Sequence, residues 1–169
     1  MPFCLTEPRS ALKVAVAYAK DRQSFGQLLF NHQAVGFRLA ECATQLEAER
    51  QLTWHDAALR DAGRPCLKEA AMAKLFASEM AEKVCSAAIQ TLGGYGYVND
   101  FPLERIYRDV RVCQIYEGTS DVQKMLIQRG LWGASFLTDA ASRPVGAWPL
   151  RPRHRENVSW QMYTFREIS

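Results

Sequence analysis

Residues 66–97 read CLKEAAMAKLFASEMAEKVCSAAIQTLGGYGY. Met72, Phe76, Met80, Val84 and Ala88 recur every four residues, so they line one side of a helix. Ala73, Ala77, Ala81 and Ala87 let a neighbouring helix come close. The spacing predicts a helix from about Cys66 to Thr91, far longer than a strand, and Gly93-Gly94-Tyr95-Gly96-Tyr97 stops it.

The chain on either side has the same character. Upstream, Val35, Leu39, Cys42 and Leu46 recur at steps of three and four. They predict a helix from an Asn31 cap to about Ala62, with Glu41, Gln45, Glu49 and Arg50 largely off the apolar stripe. Gly63 suits the position just past its end, and Pro65 blocks continuation. Before that, Leu12 to Ala19 form an apolar helix that Ser10 can cap and that Arg22-Gln23-Ser24-Phe25-Gly26 breaks. It starts abruptly, as if an upstream portion were missing. Downstream, Pro102 and Glu104 suit the first turn of a short helix, and a final helix ends near Leu131. No segment alternates like a strand. The predicted fold is therefore all-α, an antiparallel four-helix bundle over residues 11–131. Residues 1–10 form an atypical N-terminal segment. Residues 132–169, with Pro144, Pro149 and Pro152 and no helical period, are expected to be a disordered tail.

Composition narrows the classes of function. The length of 169 residues suits one domain with a real core, and a net charge of +3 without a basic-aromatic stripe argues against nucleic acid. Cys4, Cys42, Cys66, Cys85 and Cys113 show no CxxC pair. They read as small apolar fillers in a reducing compartment, not as a disulfide framework or metal site. No apolar run reaches the ~20 residues of a membrane span. His32 and His55 lack metal-ligand spacing, so no metal is expected.

The chemistry is expected in residues 114–121, Gln-Ile-Tyr-Glu-Gly-Thr-Ser-Asp. Glu117 sits between an aromatic residue and a glycine, and Gly118 lets a ligand or another backbone approach. Thr119 or Ser120 can cap the next helix, whose positive end suits Asp121.

Four motifs occur in order: Arg22-Gln23-Ser24-Phe25-Gly26; His32-Gln33-Ala34-Val35; Gln90-Thr91-Leu92-Gly93-Gly94-Tyr95-Gly96-Tyr97; and Ile115-Tyr116-Glu117-Gly118-Thr119-Ser120. With Pro102-Leu103-Glu104-Arg105 and Tyr107-Arg108-Asp109 between the last two, the chain resembles the C-terminal domain of the acyl-CoA dehydrogenases over residues 11–131. That resemblance implies an FAD enzyme that introduces an α,β double bond into an acyl-CoA thioester. It makes Glu117 the base for the α-proton and Gly118 the residue whose backbone nears the substrate. Desolvation beside an acyl chain would raise the carboxyl pKa toward neutrality. The resemblance also assigns flavin contacts to Arg22, Phe25 and Gln33, and to Gln90, Thr91, Leu92, Gly93 and Gly94. It assigns others to Thr119, Ser120 and Asp121, the last standing where many relatives have Glu or Gln. Arg22 would meet the diphosphate across a subunit boundary, where its guanidinium fork suits phosphate oxygens. Electron-transfer flavoprotein is the implied electron acceptor, a homo-oligomer the implied assembly, and the bacterial cytoplasm or mitochondrial matrix the implied compartment.

Two functions follow from these expectations. In one, the chain is part of an acyl-CoA dehydrogenase whose N-terminal and middle domains complete the site. In the other, it is a non-catalytic helical module that pairs with itself or with full-length relatives. Uncovered apolar surface around Val14, Val16 and Tyr18 would favour the second.

Overall fold

A computed structural model of the chain describes residues 3–132. The tail expectation for residues 132–169 falls, past Trp132, outside the described residues. Six helices follow one another: α1 (Phe3–Asp21), α2 (Gln33–Asp61), α3 (Leu67–Leu92), α4 (Gly94–Tyr97), α5 (Leu103–Arg111) and α6 (Ser120–Trp132). The bundle is all-α apart from one small hairpin, β1 (Gln23–Ser24) and β2 (Gln27–Leu28), paired antiparallel. No described helix is long and apolar enough to cross a membrane.

α3 is the spine, packing against α1, α2, α5 and α6. Its buried residues include Ala73, Ala77, Met80, Ala81, Val84, Cys85 and Ala88, a band wider than the expected four-residue stripe. Met72 and Phe76 are only partly buried. On α1, Ala11, Ala15 and Ala19 are fully buried and meet the same core as Ala81, Cys85 and Ala88. Small side chains on facing helices let the two backbones approach. Leu103, Ile106 and Val110 of α5 close that core from the other side.

Several boundaries differ from the sequence expectation. α1 begins at Phe3, not at a Ser10 cap. The Ser10 hydroxyl instead donates to the Thr6 carbonyl at 3.0 Å, the back-bond a serine makes inside a helix. Asn31 lies in a 3-10 turn (Leu29–Asn31), and His32 occupies the cap position of α2 without a side-chain bond to the helix. Glu49 was placed off the apolar stripe, yet it is only 1% exposed. It stands seven residues after buried Cys42 and three after Leu46, so the stripe runs through it. Val14, Val16 and Tyr18 are not bare: all three pack on the core, and Tyr18 meets Phe101 edge-on at 5.8 Å.

Cys42, Cys85 and Cys113 are buried, and with Cys66 they are free thiols. Burial pushes Cys85 up to about 12, so it stays a neutral apolar filler.

Candidate active-site loop and hairpin end

The loop between α5 and α6 is anchored before it reaches Glu117. Glu82 on α3 accepts hydrogen bonds from Tyr107 (3.4 Å), Arg111 (3.3 Å) and Gln114 (2.6 Å). A 3-10 turn (Val112–Gln114) follows α5, and its Cys113 is fully buried. The chain then turns through two consecutive left-handed residues, Glu117 at φ 53° and Gly118 at φ 89°. That conformation disfavours a side chain with a Cβ, so Glu117 is held there by its surroundings. Glycine fits the second position because φ 89° strains any residue with a Cβ, and a Cβ there would also press on Gln123 Nε2 at 2.9 Å.

The holding groups are Lys74 and Gln123. Lys74, 4% exposed, donates its ammonium to the Gly118 carbonyl at 2.5 Å. Gln123 Nε2 donates to the carbonyls of Glu117 (3.3 Å) and Gly118 (3.1 Å). Sequence reasoning passed over both. Lys74 reads in the sequence as one more charged residue among the alanines of α3, and Gln123 carries no mark either. Of the two expected caps, Thr119 is the one used: the Val122 N–H donates to its Oγ1 at 3.4 Å. Ser120 Oγ is buried without a hydrogen-bond partner. Asp121 is 91% exposed and lies 3.7 Å from Lys124. The Glu117 side chain is itself exposed, so the apolar enclosure expected around it is not supplied by the described residues.

The other predicted contacts gather at the opposite end of α3. The hairpin turn is left-handed at both Phe25 (φ 50°) and Gly26 (φ 79°), the pattern of a type I′ turn. It leaves the Phe25 ring 99% exposed. His32 braces the turn, with Nε2 at 3.1 Å from the Ser24 carbonyl and Nδ1 at 3.1 Å from Gln27 Nε2. Arg22, Gln33 and Gln90 are exposed, while Thr91 and Leu92 are buried. Gly93 ends α3 at φ 62°, and a Cβ on Gly93 or Gly94 would meet no atom within 4 Å. The end of α1 reaches the same place, since Tyr18 packs on Tyr95 at 6.1 Å.

This end suits a dinucleotide in its chemistry. It offers a guanidinium, two amides, a bare aromatic face and glycines with open space before them. The buried Ser120 Oγ offers a second, separate contact at the α6 start. The two groups of residues do not meet. Lys74 and Gln90 are sixteen positions apart on one helix, about 24 Å at 1.5 Å per residue. A cleft of 580 Å³ between α2, α3 and α5 lies along this interval, lined by Arg38, Glu82, Gln90 and Gln114. Glu117 borders neither it nor the 1190 Å³ groove between α1 and α2.

Comparison with known proteins identifies the fold. Residues 2–132 match the family model described as acyl-CoA dehydrogenase, C-terminal domain. An acyl-CoA dehydrogenase of Bacillus subtilis is 48% identical over 126 residues, 75% of this chain and 33% of that protein. The caffeyl-CoA reductase-Etf complex subunit CarC of Acetobacterium woodii is 47% identical over 119 residues, 70% of this chain and 31% of that protein. Among solved structures, butyryl-CoA dehydrogenase of Megasphaera elsdenii superposes with a TM-score of 0.75 at 40% identity, over 76% of this chain and 34% of that one. The chain thus spans about a third of the length of the relatives it matches. On the bundle, the motif order and these matches together, the chain belongs to the acyl-CoA dehydrogenase family and corresponds to its C-terminal domain.

Proposed function

We propose that this chain supplies the base-bearing domain of an FAD-dependent acyl-CoA dehydrogenase, with Glu117 removing the α-proton of an acyl-CoA thioester. The observation that carries the reading is the backbone at Glu117. A non-glycine residue is held left-handed, its carboxylate exposed, by two side chains from separate helices. Strain sustained in this way is characteristic of functional positions. The carboxylate is exposed and free to face a substrate. Bound FAD would supply the hydride acceptor for the β-carbon. Glu117 takes up the α-proton in the same overall dehydrogenation, so two electrons and two hydrogens leave the thioester and the enoyl product remains.

Arg22, Phe25, Gln33 and residues Gln90 to Gly94 would bind FAD at the hairpin end. Thr119, Ser120 and Asp121 would bind it at the start of α6. Their separation supports a homo-oligomer in which the two ends of one chain serve different cofactors. Electron-transfer flavoprotein is the proposed acceptor, in line with the name of the Acetobacterium relative, which includes an Etf complex. The bacterial cytoplasm is the proposed setting and the mitochondrial matrix the alternative, since the matching relatives include both bacterial and mitochondrial proteins.

Exposed aromatic surface also favours the alternative, a non-catalytic module that pairs with itself or with full-length relatives. Phe25, Phe30, Phe37 and Tyr97 are all exposed near the hairpin end. A visible spectrum of the purified chain with added FAD, with and without acyl-CoA and an electron-accepting dye, separates the readings. Bound flavin and dye reduction support a self-sufficient enzyme, and their absence assigns the isolated chain to the module. The role of Glu117 is tested in the complete enzyme. Glu117→Gln is expected to lower turnover at least 1000-fold with flavin retained, and retained turnover would remove Glu117 as the base.

A further inference from the structure

The geometry points to Lys74 as a positioning residue for Glu117, one that sets the backbone conformation of the base from the far side of the loop. The inference rests on Glu117 being the base. Lys74 is on α3, and neither its sequence position nor its burial places it in contact with substrate. Its ammonium donates to the Gly118 carbonyl at 2.5 Å. A charged donor makes a stronger hydrogen bond to a carbonyl than a neutral one does, and burial excludes the water that would compete.

That carbonyl belongs to the second of two successive left-handed residues. Glycine adopts such a conformation freely, whereas glutamate does so only under constraint. Gln123 contributes a neutral amide to both carbonyls, but it stands on α6, the helix that the loop itself leads into. Lys74 bonds the turn itself to a separate and rigid element, the spine of the bundle, beside the packing of neighbouring Tyr116 on Ala77 of that helix. Fixing the Gly118 carbonyl against α3 fixes the peptide plane after Gly118, and the Gln123 bond to the Glu117 carbonyl fixes the plane before it, so that the turn, and with it the direction of the Glu117 Cα–Cβ bond, is held. Without that link the Glu117 backbone can relax to negative φ, which swings the carboxylate to another side of the chain. The Glu82 contacts with Tyr107, Arg111 and Gln114 anchor the approach to the loop, not its turn.

The test uses the 169-residue chain and Lys74→Met, which keeps an unbranched side chain and removes the charged donor. A positive φ brings a residue's own amide and α-protons close, so the parent should show a strong intraresidue HN–Hα NOE at Glu117. In Lys74→Met this NOE should fall at least twofold, while amide protection through Met80–Ala88 of α3 stays as in the parent. An unchanged NOE at Glu117 would overturn the proposal. Should Lys74→Met fail to fold, the parent decides the matter. Its Lys74 ammonium should give a slowly exchanging 1H–15N signal with NOEs to the Gly118 α-protons, and the lack of those NOEs would overturn the proposal. Neither readout depends on turnover. A lost NOE together with an active Glu117→Gln enzyme would leave the clamp standing and sink the base assignment; an unchanged NOE with an inactive Glu117→Gln enzyme would do the reverse.

Discussion

Replacing Glu49 with Gln should remove a loss of stability that the parent chain suffers between pH 5 and 8. Glu49 is 1% exposed, with Oε2 unpartnered and Oε1 accepting a 2.8 Å hydrogen bond from Thr53. Burial pushes its carboxyl up from 4.5 to about 7, and the Thr53 hydroxyl offsets only part of that. In the unfolded chain the carboxyl titrates near its ordinary value. Between the two values the folded state therefore holds a proton that the unfolded state has released. Stability is then highest below the unfolded pKa, declines as pH rises through this window, and levels off above the folded pKa. A difference of about 2.5 units at 1.36 kcal/mol each corresponds to roughly 3 kcal/mol. Glutamine is nearly isosteric and never ionises, so the advantage of Glu49→Gln over the parent should grow from less than about 1 kcal/mol at pH 5 to about 3 kcal/mol at pH 8. Urea unfolding followed by far-UV circular dichroism at pH 5, 6, 7 and 8 measures both curves. Asp56 is also raised, chiefly by burial, and adds a slope of the same sign to both proteins, so the difference between them isolates Glu49. Parallel curves, differing by less than about 0.5 kcal/mol at every pH, would refute the reasoning.

Two further substitutions probe the hairpin end. A Cβ on Gly96 would fall 2.7 Å from the Ile89 carbonyl oxygen and 2.9 Å from Ile89 Cα, both backbone atoms that cannot move aside. Gly96→Ala should cost about 2 kcal/mol in urea unfolding, and an unchanged midpoint would show that α4 can shift freely. Phe25→Ala removes a ring that touches little of its own chain and should change stability by less than about 0.5 kcal/mol. The same change should weaken FAD binding by the complete enzyme at least tenfold in a flavin titration, and unaltered affinity would remove Phe25 from the cofactor contacts.

Helix existence was legible because burial here follows the 3.6-residue period over long stretches. The α3 stripe, the Gly63–Pro65 stop and the Gly93 stop all lie where the sequence indicates. Ends were less legible, since they depend on competition between local bonds: Ser10 was free to cap a helix or to back-bond within one, and it back-bonds. The loop residues Glu117 to Asp121 were identifiable from a contiguous motif. Lys74 was not, because its partner is a backbone carbonyl forty-four positions away, and a carbonyl leaves no mark in a sequence. Glu49 was misplaced for a related reason: its chemistry argued for the surface while its helical position argued for the interior, and position prevailed.

The distance between the two ends of α3 has a genetic counterpart. In an assembly that sets the hairpin end of one copy beside the Glu117 loop of another, each reaction centre would draw on two chains. A copy disabled at Arg22 and a copy disabled at Glu117 would each be inert alone. Co-expressed, a mixed pair would combine the intact loop of the first with the intact hairpin end of the second, restoring one centre of two. Two recessive lesions in the same gene would then rescue each other, a pattern that a site contained within a single chain could not produce.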